Sequence, residues 1–115
     1  VTEPYLGKPL RGHEPRPWLR QQAKEVQTLY LRCFEQWATK LRPGARVVMI
    51  WPEYVFPDGN IRVDIEQAVA NLGFRQEPLL SDASATILNI PHPNMLIYAR
   101  DGARVLRQIR KWTLT

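Results

Sequence analysis

The stretch Arg46-Val47-Val48-Met49-Ile50-Trp51 constrains the fold more than any other part of the chain. It is a short, nearly continuous apolar run with β-branched side chains, closed off by Pro43-Gly44 before it and Pro52 after it. A run of that length without alternation reads as a strand buried on both faces, the kind found inside parallel sheets. It stands between two helical patterns, and that order implies a right-handed crossover onto a parallel sheet. A parallel sheet needs a neighbour for residues 46–51, and the residues before the first helix supply no complete one. Val1-Thr2 resembles the last turn of such a strand. The expectation is α/β: the second half of a larger doubly wound sheet, in which two helices flank a buried parallel strand.

The first helix is legible from its spacing. Leu19, Ala23, Val26, Tyr30, Cys33, Trp37 and Leu41 recur every three or four residues behind Pro17, a residue welcome in a first turn. Leu29 and Phe34 widen this stripe, so both flanks are expected to be covered. Ahead of it, four prolines and two glycines in 17 residues read as an irregular loop. After the loop 52–60, Ile61, Ile65, Ala68, Val69 and Leu72 give a second helical stripe, ended by Gly73 as a left-handed cap. A short extended piece around Arg75 to Leu80 follows, then residues 81–94 without a clear period. Met95 to Arg100, the Asp101-Gly102 turn and Val105 to Leu114 read as a closing hairpin. Val105, Ile109 and Trp112 also match helical spacing, but the final Trp-Thr-Leu-Thr favours a strand.

Composition narrows the classes. With 115 residues and 44% hydrophobic, the chain suits one small packed domain, and wholesale disorder is not expected. No apolar run approaches the roughly 20 residues of a membrane helix. The single cysteine, Cys33, excludes an intramolecular disulfide framework and a multi-cysteine zinc site; within a helical stripe it reads as a buried, inert thiol. With no signal-like segment, a reducing cytoplasm is the expected location. Net charge is +5, distributed as two basic ends around an acidic middle: +4 over 1–42, −3 over 43–94 and +4 over 95–115. Twelve of the sixteen basic residues are arginine, the side chain suited to phosphate and to stacking on bases. A basic face results if the two ends meet.

The N-terminal Val1-Thr2-Glu3-Pro4-Tyr5-Leu6-Gly7 resembles the acidic-Pro-Pro-aromatic motif of amino-directed methyltransferases. Leu41-Arg42-Pro43-Gly44-Ala45-Arg46-Val47-Val48-Met49 is similar to the Leu-x-Pro-Gly-Gly turn into the fifth strand of class I methyltransferases. Asn71-Leu72-Gly73-Phe74 resembles the helix end before their sixth strand, and the tail their closing hairpin. The family named by this likeness is the RNA methylase family that includes the tRNA guanine-N2 methyltransferases. It implies the C-terminal half of a Rossmann-like, S-adenosylmethionine-dependent catalytic domain over residues 1–115, with the cofactor-binding N-terminal half outside them. Two registers of the motif are open. With Glu3 as the acid, Pro4 matches, Tyr5 replaces the second proline and Leu6 the aromatic; with Tyr5 as the aromatic, Thr2 replaces the acid. The first keeps a carboxylate.

The implied chemistry is methyl transfer to an exocyclic nitrogen of a base in RNA, tRNA first. That nitrogen is a poor nucleophile, and a carboxylate and a backbone carbonyl accepting its N–H hydrogens would orient it and stabilise the charge it develops. The resemblance gives those roles to Glu3 and Pro4, with Tyr5 or Leu6 against the base plane. Lys8, Arg11, Arg16, Arg20, Arg100, Arg104, Arg107, Arg110 and Lys111 are candidate phosphate contacts. His13, in the loop after the motif, is a candidate substrate contact, and His92 reads as a loop residue. No cluster has metal-ligand spacing, and no Ser or His stands in a triad context. The glycine-rich turn and ribose-binding acid that hold the cofactor are not within the 115 residues, so the chain alone is expected neither to bind S-adenosylmethionine tightly nor to catalyse. The rivals are a basic α/β module that binds RNA or a protein without catalysis, and a DNA or protein-glutamine methyltransferase. An open edge along Arg46–Trp51 is expected to drive self-association.

Overall fold

The computed structural model describes residues 1–89 and 95–115. In chain order the elements are α1 (Arg16–Lys40), β1 (Arg46–Tyr54), β2 (Ile61–Arg62), α2 (Glu66–Asn71), β3 (Phe74–Glu77), α3 (Asp82–Ile87), β4 (Met95–Tyr98) and β5 (Val105–Leu114). The protein is an α/β fold on an antiparallel sheet. β5 pairs along its whole length with β1 on one side; on the other side β3 and β4 lie end to end. β2 adds two residues to the far edge of β1.

The strand pairings correct the parallel-sheet expectation. Both named strands beside β1 run antiparallel to it. Among the described residues its one parallel contact is an isolated bridge, in which Thr2 pairs with Met49. The Thr2 N–H donates to the Val48 carbonyl at 2.9 Å and the Ile50 N–H to the Thr2 carbonyl at 3.2 Å. The edge of β1 expected to lie open is therefore partly taken by Thr2 and β2. β1 also runs three residues past its expected end, straight through Pro52. The N–H groups of Val48 and Ile50 lie on the Thr2 side, and by alternation so does the nitrogen of Pro52. It falls in the gap between Thr2 and β2, where a missing donor costs no ladder bond.

Register sorts the sheet into two unlike faces. Val47, Met49, Trp51, Phe74, Trp112 and Leu114 share one face and pack with Val26, Tyr30 and Phe34 of α1 and Val69 of α2. On the opposite face, Ile50, Ile109 and Leu96 form one row across β1, β5 and β4, and all three are only half-buried. Through residues 47–51 the strand is thus covered by helices on one side alone, whereas at its carboxyl end Pro52 and Tyr54 on the opposite face are also buried, Tyr54 with Leu19 and Ala23 of α1. Phe34, not Cys33, occupies the core position of α1: Phe34 is fully buried, Cys33 half-buried and Leu29 exposed.

The second helix is shorter than its apolar spacing predicts. Ile61, Val63 and Ile65 are buried while Arg62 and Asp64 are exposed, a two-residue period. Ile61–Arg62 pairs with β1, and only Glu66–Asn71 is helical. Spacing of four satisfies both periods, and β-branched side chains decided for the strand. Gly73 takes φ +99° behind α2 as expected, and the closing hairpin forms with its turn at residues 100–103. A short helix, α3, occupies part of the segment read as aperiodic; His92 lies outside the described residues. Among the described residues no helix is long and apolar enough to cross a membrane.

Candidate functional site

The motif segment leaves the middle of β1 at Thr2 and runs toward that strand's carboxyl end, where two buried tyrosines take hold of it. The Tyr30 hydroxyl from α1 donates to the Tyr5 carbonyl at 2.8 Å, and the Tyr54 hydroxyl, on the last residue of β1, donates to the Leu6 carbonyl at 2.7 Å. Gly7 follows at φ +103°, and a Cβ there would lie 2.6 Å from the Tyr54 hydroxyl. Only glycine permits that approach. The anchors leave Tyr5 exposed and Leu6 half-buried.

Glu3 is already engaged. Its carboxylate accepts from Arg107 Nε of β5 at 2.7 Å, with both side chains partly in solvent. Five residues past Gly7 the loop closes on itself: the Glu14 carboxylate accepts from the backbone N–H groups of Arg11 and Gly12, which holds its carboxyl below the usual range. Gly12, at φ +102°, lies beneath the Arg104 guanidinium, whose Nε would stand 2.5 Å from a Cβ there. Arg104 also donates to the Leu10 carbonyl at 3.1 Å, and the Val55 N–H donates to the Arg104 carbonyl at 2.9 Å.

These bonds gather three segments around a cleft of about 640 Å³. They are the loop 10–15, the residues after β1 and the hairpin turn before β5. Leu10, Leu19, Val55 and Phe56 supply its apolar wall, and His13, Glu14 and Arg104 its polar groups. A smaller cleft of about 420 Å³ shares Leu10 and Arg104 and adds Arg100, Asp101 and Arg107. The larger volume is in the range of small-ligand sites, and the neighbouring arginines make an anionic group the complementary partner. Arg16 stacks on Phe56 at 4.4 Å from the ring centre and donates to the Gly59 carbonyl at 3.0 Å, bracing the wall.

Of the residues proposed from sequence, Glu3, His13, Arg16, Arg104 and Arg107 meet at this end of the sheet. Lys8 and Arg11 are exposed on the same loop, and Arg20 is exposed on α1. Arg110 is corrected: it is buried on the helix-covered face and bonded to Gln108 and Glu66, so it cannot contact phosphate. Trp112 is core. Tyr54, Phe56 and Glu14 belong to no motif in the sequence, and Tyr30 reads there only as a position of the helical stripe. The only advance signal for Tyr54 was its place beyond an apparent strand end.

Burial raises both tyrosine hydroxyls well above their ordinary pKa near 10. The folded protein therefore keeps two protons that the unfolded chain releases. The contribution is intact below pH 10 and is lost as pH rises above it, by at most about 1.4 kcal/mol per pH unit for each tyrosine. Urea titrations between pH 9 and 12 are expected to show this decline, and Tyr30→Phe/Tyr54→Phe is expected to flatten it. An unchanged slope in the double variant would contradict the assignment.

Neither glycine of the motif loop leaves room over its turn for S-adenosylmethionine. The space over Gly7 is filled by Tyr54 and Gln22, and that over Gly12 by Arg104. These two turns therefore do not cradle that cofactor, and the described residues contain no cluster of His, Cys, Asp or Glu able to hold a metal ion. Comparison of the chain with protein-family models, with curated proteins and with solved structures finds no match in any of the three.

Proposed function

We propose that residues 1–115 form the acceptor side of a Rossmann-like, S-adenosylmethionine-dependent N-methyltransferase acting on a base in RNA, tRNA first. The observation that carries this reading is the parallel bridge of Thr2 to Met49, which aims Glu3-Pro4 at the carboxyl end of a central strand. Open α/β sheets place their sites there. The cleft beside it, walled by Phe56 and bordered by Arg100, Arg104 and Arg107, suits a planar base attached to phosphate. In this reading Glu3 and the Pro4 carbonyl accept the amino hydrogens of the base, and Tyr5 or Leu6 lies against its plane. Arg107 positions Glu3. Lys8, Arg11, Arg16 and Arg104 attract the RNA backbone, with His13 at the cleft wall.

The test uses the protein that carries these residues, assayed for transfer of labelled methyl groups to tRNA. Glu3→Ala is expected to lower kcat by about 100- to 1,000-fold, the usual loss when one pre-oriented transition-state contact is removed, with RNA affinity little changed. A loss below tenfold would remove Glu3 from the reaction.

One observation favours a second reading, a basic α/β module that binds RNA without catalysis: the Glu3 carboxylate is bound to Arg107 rather than free. RNA binding with no methyl incorporation into RNA, DNA or a glutamine peptide would select it.

A further inference from the structure

The Arg107 guanidinium is held at one nitrogen only. Its Nε donates to Glu3 at 2.7 Å, and among the described residues neither Nη group bonds a protein atom. Arg107 also lines the smaller cleft, where Arg100 and Arg104 join it. The hairpin brings them together. The Ala103 N–H donates to the Arg100 carbonyl at 2.9 Å, and this turn folds Arg100 back toward Arg104 just before β5. Arg104 gives Nη1 to the Leu10 carbonyl at 3.1 Å. Arg100 is exposed, and among the described residues its side chain has no hydrogen bond or ion pair. Each guanidinium has five N–H donors in a fixed fork, so the cleft holds many more donors than acceptors.

Charge narrows what such a cleft accepts. Asp101 is the one acid among its lining residues, and Glu3 is bound to Arg107 at its border. Three positive charges against two negative leave one positive charge, which a single phosphodiester, a monoanion, balances. An arginine fork also fits two phosphate oxygens at once. The larger cleft adjoins this one through Leu10 and Arg104. A base in the larger cleft and its own phosphate in the smaller are therefore held by shared walls.

We propose, resting on the methyltransferase reading for the role of Glu3, that the smaller cleft takes one phosphodiester of the RNA and that Arg107 bridges it to Glu3. Nε stays on the carboxylate while the Nη groups bind phosphate oxygens. Seating the backbone then fixes the carboxylate. Arg107 and Glu3 are both partly in solvent in the free protein, and a guanidinium held on both edges loses the freedom that lets the pair drift. Arg107 thus serves affinity and the placement of Glu3 together, whereas Arg100 serves affinity alone.

Binding of a labelled single-stranded RNA of about ten nucleotides is measured by fluorescence anisotropy over a range of salt. Arg100→Gln and Arg107→Gln are each expected to weaken it about fivefold or more and to flatten its salt dependence. Arg107→Lys, which keeps the charge and loses the fork, is expected to recover affinity. In methyl transfer, Arg100→Gln raises KM alone, while Arg107→Gln also lowers kcat, and adding it to Glu3→Ala lowers kcat no further. In isotope-labelled protein the Arg107 Nε–H resonance, displaced by Glu3→Ala, is expected to stay near its original position when RNA binds. RNA affinity unchanged in both glutamine variants would overturn the proposal. So would movement of that resonance to its Glu3→Ala position, or full displacement of the RNA by about 1 mM adenosine monophosphate, which would assign the cleft to a free nucleotide. These outcomes decide with or without methyl transfer, and its absence from the unaltered protein would sink the methyltransferase reading alone.

Discussion

Phe34→Ala is expected to destabilise the protein by about 3–5 kcal/mol, a large share of the 5–15 kcal/mol that holds a domain of this size together. Phe34 is fully buried, and its ring makes edge-on contacts with Trp37, Phe74 and Trp112 at centroid distances of 5.2, 5.1 and 5.2 Å. A fourth, to Trp51, is at 6.4 Å. One side chain of α1 thus touches β1, β3 and β5 together. Truncation leaves a hole walled by rigid rings that cannot collapse into it. Trp51 and Trp112 stack at 4.8 Å, and the pair would lose the ring that packs both of them against this part of the helix. Urea denaturation should show a lower midpoint with unchanged slope. Leu29→Ala, on the same helix at 40% exposure, is expected to cost under about 1 kcal/mol. Equal losses at the two positions would mean that the helix packs in a different rotation.

That comparison shows where sequence reasoning stops. The helical stripe of α1 is visible because the period is local, yet Leu29 and Phe34 look equivalent as flanking positions. Their ranking depends on the angle at which the helix meets a sheet assembled from residues 10 to 80 positions away. The strand content of the tail, the Asp101-Gly102 turn and the cap at Gly73 were legible because each rests on neighbouring residues. The direction of β1's neighbours was not, since an uninterrupted apolar run says that a strand is covered without saying by what. In the candidate site, the Glu3 segment and the arginines of both ends were legible as residue types. Their pairing, Glu3 with Arg107 and Gly12 beneath Arg104, joins positions about 100 residues apart that no spacing connects. Tyr30 looked like core, and its hydroxyl's grip on the Tyr5 carbonyl could not be read from an aromatic stripe.

Glu53, too, meets its partners only through the fold, and Glu53→Ala is expected to cost on the order of 3 kcal/mol. It lies 3% exposed within the sheet, near the site end of β1. Its carboxylate accepts from Gln108 Nε2 at 2.7 Å, Asn60 Nδ2 at 2.6 Å and Arg62 Nε at 2.9 Å. Gln108, fully buried, passes the polarity on, its carbonyl accepting from Arg110 at 2.8 and 3.1 Å. Arg110 in turn bonds Glu66 at 2.8 Å and lies over the Trp51 ring at 4.6 Å. Two charges, Glu53 and Arg110, and the Gln108 amide between them therefore share an otherwise apolar core, each satisfied by the next. Removing Glu53 orphans the Gln108 amide where no water can replace the acceptor. Arg62, with 60% of its side chain exposed, simply turns to solvent. A double-mutant cycle should therefore find a coupling above about 1 kcal/mol between Glu53 and Gln108 and under about 0.5 kcal/mol between Glu53 and Arg62. Glu53→Gln, which keeps an acceptor for Gln108, should recover more than half of the loss. If the arginine coupling proved the larger, the charge pair would hold this end of the sheet. The site would then be tethered through its surface rather than through its core.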